Sequence, residues 1–136
     1  MSRPPTADEL RLYEHAEAAR SRAYAPYSDF QVGAALLCED GRIVPGGNVE
    51  NASYGLTICA ERAAVCRAVA EGAGAFLAVA CAAPERARTA SPCGACRQVL
   101  SEFGPRMTVV YRRDGELVAE SLDELLPAAF ELAPQA

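Results

Sequence analysis

The chain has 136 residues, enough for one domain with a real core. Its formal net charge is −5, with 18 acidic against 13 basic side chains, and apart from the small pair Arg112-Arg113 no cationic tract offsets it. That balance argues against a nucleic-acid partner, which needs clustered Lys and Arg. No apolar run is long enough to span a membrane, and residues 1–6 lack the charged-then-apolar build of a signal peptide, so a cytoplasmic protein with no membrane partner is expected.

Taken in order, Thr6-Ala7-Asp8-Glu9 has capping-box spacing and opens a helical run to about Ala23, with Leu12, Ala16, Ala19 and Ala23 on one face and Pro26 ending it. From Phe30 to Cys38 both alternating sets are apolar, as in a strand covered on both faces. Asp40-Gly41 signals a hairpin into a second strand through Ile43 and Val44. Residues 46–55 form a polar loop, and a helix follows from about Ile58 to Glu71, stopped by Gly72 and Gly74. Phe76 to Ala83 reads as a central strand, Pro84 to Ala90 as a loop, and Pro92 to Gly104 as a helix with Val99, Leu100 and Phe103 facing the core. Met107–Tyr111 and Leu117–Ala119 are strands joined at Asp114-Gly115. Ser121-Leu122-Asp123-Glu124 has capping-box spacing before a short helix limited by Pro127. This order predicts a three-layer α/β/α sandwich around a mixed five-stranded sheet, with an antiparallel opening hairpin and right-handed parallel crossovers. The whole chain, 1–136, is read as one domain, with 1–6 and 131–136 as flexible tails.

Six cysteines without an export signal are expected to be reduced. Cys38, Cys66 and Cys81 lie in apolar runs and read as small buried hydrophobes. Cys59, Cys93 and Cys96 lie instead at predicted helix starts, in Cys59-Ala60-Glu61-Arg62 and Pro92-Cys93-Gly94-Ala95-Cys96. Three sulfurs can hold a zinc ion and leave its fourth tetrahedral position for water, which a nearby Glu61 can deprotonate. Cys59 and Glu61, two apart, would diverge along a helix but not around an ion lying off its N-terminus. The partial positive charge of two helix N-termini favours thiolates there. Zinc with three thiolates carries net −1, a charge that Arg62 can offset. Packing alone remains the plain alternative for each motif taken singly. A structural zinc module needs a fourth ligand, and the single histidine, His15, reads as an exposed helical residue.

The pattern resembles the small cytidine deaminases that act on free nucleosides, from about Pro26-Tyr27-Ser28 to Leu125-Leu126-Pro127. Four blocks carry the likeness: 30–35, 47–54, Cys59-Ala60-Glu61-Arg62 and Ser91-Pro92-Cys93-Gly94-Ala95-Cys96-Arg97-Gln98. The resemblance implies one zinc per chain on Cys59, Cys93 and Cys96. It implies that Glu61 takes a proton from water and gives one to ring nitrogen N3, so that cytidine and 2′-deoxycytidine are hydrolysed at C4 with release of ammonia, a pyrimidine-salvage reaction. It further implies that Asn48 and Glu50 hold the ribose hydroxyl, that Phe30 packs on the pyrimidine, and that the backbone at Ala60 and Ser91 reads the base edge. By the same likeness the chain forms a homotetramer in which Phe130 enters a neighbour's active site. A turn network is the plain alternative for the Asn48–Glu50 loop, and a last core residue is the plain alternative for Phe130. There are three rival readings. A deaminase of another aminopyrimidine nucleoside such as blasticidin would lack the 48–53 block. A polynucleotide editor would need a basic, aromatic-studded groove. A non-enzymatic zinc module would not need Glu61.

Overall fold

The computed structural model describes residues 1–134. The capping box at Thr6 is formed: the Thr6 hydroxyl accepts from the Glu9 amide (3.2 Å) and the Glu9 carboxylate accepts from the Thr6 amide (2.8 Å). It opens helix α1 (Ala7–Ala19), which passes into a 3-10 turn at Arg20–Arg22, short of the expected Ala23. The other elements are β1 (Gly33–Cys38), β2 (Ile43–Gly47), a 3-10 turn at Tyr54–Leu56, α2 (Ala60–Ala70), β3 (Phe76–Ala82), α3 (Gly94–Ser101), β4 (Thr108–Arg113), β5 (Glu116–Ser121) and α4 (Leu122–Leu125).

The sheet order is β2-β1-β3-β4-β5. Only β3 and β4 pair in parallel, while β1 opposes both β2 and β3, and β4 opposes β5. Strands β2 and β3 therefore run the same way with β1 between them, and α2 crosses over that strand. Both faces of β1 are covered, as its sequence requires. Ala34, Leu36 and Cys38 pack with α2, β3 and β4 side chains, and Ala35 packs under Leu12 and Ala16 of α1. Leu36 and Leu100 are fully buried, each contributing about 1.5–3 kcal/mol relative to exposure.

Small residues let the layers approach closely. A Cβ on Gly33 would lie 2.0 Å from the Ala16 carbonyl oxygen, so α1 rests directly on β1. A Cβ on Gly46 would lie 2.6 Å from the Ala64 amide nitrogen and 2.8 Å from the Ala60 carbonyl oxygen, so β2 supports the first turns of α2 in the same way.

Several expectations change. Cys66 is exposed, because α2 turns Ala60, Glu61, Ala64, Val65 and Ala68 inward and leaves Cys66 on its outer face. Strand β1 starts at Gly33 because the Asn48 side chain takes the place of a strand neighbour at Phe30 and Val32. The Ser121 capping box does not form: the Ser121 hydroxyl turns to the Asp123 carboxylate (2.6 Å), and Glu124 pairs with the N-terminal ammonium. In the segment 1–6, Arg3 pairs with Ala119 of β5 through two backbone hydrogen bonds (3.0 and 2.8 Å). Of the tail expected at 131–136, residues 131–134 have no regular structure, and 135–136 lie outside the described residues.

Candidate metal centre and nucleoside cavity

Cys59 is the N-cap of α2 and Cys93 the N-cap of α3, with Cys96 in the first turn of α3. Neither N-cap cysteine makes a side-chain capping bond, so the thiols are free to face one another. The Cys59 and Cys93 sulfurs are 3.9 Å apart, those of Cys93 and Cys96 are 3.6 Å apart, and all three lie within 4.8 Å of one another. Sulfurs about 2.3 Å from a tetrahedral ion stand about 3.8 Å apart, so the donor set fits zinc.

Arg62 donates from Nη2 to the Cys59 sulfur at 3.4 Å, while its buried Nε has no hydrogen-bond partner among the described residues. The Cys96 thiol, with Arg62 and Cys93 adding, brings Cys59 down to about 5, while that same hydrogen bond and burial push Cys96 up. Glu61, in the first turn of α2, is 5% exposed, and burial pushes its carboxyl above the ordinary range.

This cluster borders a cavity of about 360 Å³. Phe30, Asn48, Ala60 and Ser91, all anticipated from the sequence, line it with Cys59, Glu61 and Cys93. The structure adds Val32, Thr57 and Cys81, and a wall made by Ala83, Ala87, Thr89 and Ala90. Thr57 lies beside the metal motif and accepts from the Asn51 amide. Cys81 was legible only as a buried residue, and nothing in the sequence marks the alanines as lining.

The segment 48–50 is held on two sides. Tyr24 donates to the Asn48 carbonyl (2.8 Å) and accepts from the Glu50 amide (2.8 Å), while Val49 and Ile58 exchange two bonds of 2.9 Å. The Asn48 amide accepts from Val32 (2.8 Å) and donates to the Phe30 carbonyl (2.9 Å). Glu50 lies outside the cavity lining. Its carboxylate accepts from the Ser28 hydroxyl and from the Tyr27 and Ser28 amides (3.0 and 3.1 Å), and the Ser28 hydroxyl leads in holding it below the usual range.

Arg97 fixes the approach to α3, donating to the Pro92 carbonyl (2.7 Å), the Leu125 carbonyl (2.7 Å) and the Ser91 hydroxyl (3.0 Å). The next residue, Gln98, donates to the Phe130 carbonyl at 3.0 Å. Phe130 is 71% exposed and belongs neither to the core nor to the cavity of its own chain.

A zinc-fitting triad of sulfurs beside a buried carboxylate, bordering a cavity sized for a small molecule, defines a metal-dependent enzyme of the α/β/α class. The family model for the cytidine and deoxycytidylate deaminase zinc-binding region matches residues 6–112. The cytidine deaminase of Halalkalibacterium halodurans is 50% identical over 125 residues, covering 90% of this chain and 94% of that one. The cytidine deaminase of Mycobacterium tuberculosis is 47% identical over 128 residues, covering 94% and 93%. The crystal structure of the Burkholderia pseudomallei cytidine deaminase superposes with a TM-score of 0.83 at 48% identity, covering 93% of this chain and 100% of that one. The chain belongs to the cytidine and deoxycytidylate deaminase family.

Proposed function

We propose that this protein hydrolyses cytidine and 2′-deoxycytidine to uridine and 2′-deoxyuridine, releasing ammonia, as a step of pyrimidine salvage. The observation that carries the reading is the buried Glu61 carboxyl beside three sulfurs at zinc spacing, open to a cavity of about 360 Å³. Bound zinc supplies Lewis-acid activation of water. The chain's own residues do the rest. Glu61 takes the proton of the attacking water, gives a proton to N3 of the base, and carries a further proton to the departing amino group. Burial raises its carboxyl above the ordinary range, which suits a group that both accepts and returns protons. Arg62 offsets the thiolate charge, Phe30 packs on the pyrimidine, and the backbone at Ala60 and Ser91 aligns the base edge.

Asn48 keeps one acceptor and one donor position free for a sugar hydroxyl after its two bonds to the 30–32 segment. A carboxylate accepts about four hydrogen bonds, so Glu50, with three donors in place, has one position left for the same hydroxyl.

The working form is a homotetramer in which Phe130 covers the nucleoside of a neighbouring subunit. Its exposure supports this, as does that of Val49, Tyr54, Leu56 and Ile58 on the segment joining Asn48 to Cys59. Six free thiols suit a reducing cytoplasm.

Ultraviolet absorbance of purified protein with cytidine, 2′-deoxycytidine and free cytosine tests the activity. Both nucleosides should be converted far faster than cytosine, and equal rates on cytosine would remove the sugar role of Asn48 and Glu50. Mixing Glu61→Gln chains with Phe130→Ala chains after dissociation should regain activity through intact composite sites. A fully active monomer by light scattering would contradict the shared site.

A further inference from the structure

The cavity wall made by residues 83–91 contains no regular element, yet it supplies Ala83, Ala87, Thr89, Ala90 and Ser91 to the lining. Polar contacts from outside the loop must therefore hold its shape. One Nη2 atom of Arg112, near the end of β4, donates to the carbonyls of Ala83 (3.0 Å), Pro84 (2.9 Å) and Ala87 (3.2 Å). The Arg112 carbonyl accepts from the Ala90 amide at 2.9 Å, so this single residue grips both ends of the loop. The β4–β5 turn adds three bonds: the Asp114 amide to the Thr89 hydroxyl (3.0 Å), the Gly115 amide to the Arg88 carbonyl (3.0 Å), and Arg88 to the Asp114 carbonyl (3.2 Å). The turn can present its amides inward because Asp114 and Gly115 both adopt positive φ, 49° and 86°. On the cavity side, the loop places the Arg86 guanidinium 5.0 Å from the Phe30 ring centroid, behind a residue that lines the cavity.

We infer that Arg112 is a positioning residue for the substrate: it moulds the 83–91 wall, and through that wall it sets affinity for the nucleoside without touching the metal ligands. The metal side is anchored separately, since Arg97 holds Pro92 and the α3 cysteines follow from it. Loss of Arg112 should therefore weaken ground-state and transition-state binding alike, which raises KM and leaves kcat near its original value. Three carbonyls converging on one nitrogen also suit an ammonium, which carries three donors, so lysine should work in part where an apolar chain fails.

The role in nucleoside affinity rests on the proposed deaminase activity, and the test keeps the two apart. Hydrogen exchange of the zinc-loaded protein, read over 83–91, needs no turnover. In Arg112→Met these amides, Ala87 and Ala90 among them, should lose protection while α2 and α3 keep theirs. Steady-state kinetics on cytidine should then show KM raised about tenfold to a hundredfold, kcat within about threefold, and zinc content unchanged. Arg112→Lys should recover most of the affinity. Arg86→Ala should add little once Arg112 is gone, since both act through one loop. Should Arg112→Met fail to fold, Arg112→Gln gives the same reading, and failure of both would overturn the inference by assigning Arg112 to the stability of the sheet. Unchanged exchange over 83–91, or a fall in kcat with KM unaltered, would also overturn it. A native protein inactive on cytidine would remove the deaminase reading while leaving the exchange result to decide what Arg112 holds.

Discussion

Replacing Gly46 with alanine tests whether the contact between β2 and α2 sets the metal geometry. The new methyl carbon would lie 2.6 Å from the Ala64 nitrogen, 2.8 Å from the Ala60 carbonyl oxygen and 2.9 Å from the Ala64 Cα. All three are backbone atoms of α2, so no side chain can swing aside. Ordinary contact begins near 3.4 Å, which requires the helix to move by 3.4 − 2.6, or about 0.8 Å. Overpacking of this kind costs about 1–3 kcal/mol. The larger effect falls on the site, because α2 carries Cys59 and Glu61 at its start while Cys93 and Cys96 ride on α3. Zinc sites tolerate errors of about 0.2 Å in ligand distance, and a misplacement near 1 Å costs roughly 10² in rate. Gly46→Ala should therefore lower kcat by ten- to a hundredfold or weaken zinc retention, beyond its effect on the urea midpoint. Gly74→Ala is the control, since nothing lies within 4 Å of the added carbon and its φ is not positive. Native turnover, metal content and midpoint in Gly46→Ala would show that α2 yields without consequence, and the argument from close packing would be wrong.

Glu61→Gln should keep about one zinc per chain and lose ~10²–10⁴ in kcat on cytidine, or more because the group acts more than once; near-native turnover would refute the proton-transfer role. Cys93→Ala should lose zinc, measured by elemental analysis, and lower the melting temperature, because the ion ties the starts of α2 and α3; full zinc retention would move the metal elsewhere. The Arg3 guanidinium, with the Thr6 amide adding, holds the Glu9 carboxyl below its ordinary value of 4.5. A carboxyl lowered by folding stabilises above that value and loses its contribution as pH falls through the folded one. The difference in urea midpoint between native protein and Glu9→Gln should accordingly be full at neutral pH and shrink as the pH falls below the ordinary carboxyl value of 4.5 and through the lowered folded one, and a difference unchanged throughout an acid titration would contradict the linkage.

The parts legible in the sequence were those where one residue type has one strong reason to be present. Thr6 and Glu9 stand at capping distance, Gly41 and Gly72 adopt the positive φ that ends a strand and a helix, and the double alternation of β1 matches its two buried faces. The three clustered cysteines were legible because few other roles place them at helix starts. What escaped was set by long-range geometry. Cys66 has the same neighbours in sequence as a buried cysteine, and only the rotation of α2 about its axis leaves it outside. Ser121 and Glu124 have the right spacing, but nearer partners take both side chains. Glu50 reads as a ligand contact, whereas its first duty in the fold is to gather the Tyr27 and Ser28 amides, two residues remote in sequence.

The pairing of Arg3 with Ala119 bears on how copies of this chain can meet. A strand at the margin of a sheet offers unpaired amides and carbonyls to any other strand, and proteins that stay soluble blunt such margins. Here the β5 side is closed in part by the chain's own beginning. The opposite side, β2, carries Pro45, which has no amide proton to donate. Neither margin invites a second sheet to grow from it. Contacts between copies are thereby steered away from the open-ended stacking of sheet on sheet that leads to fibres.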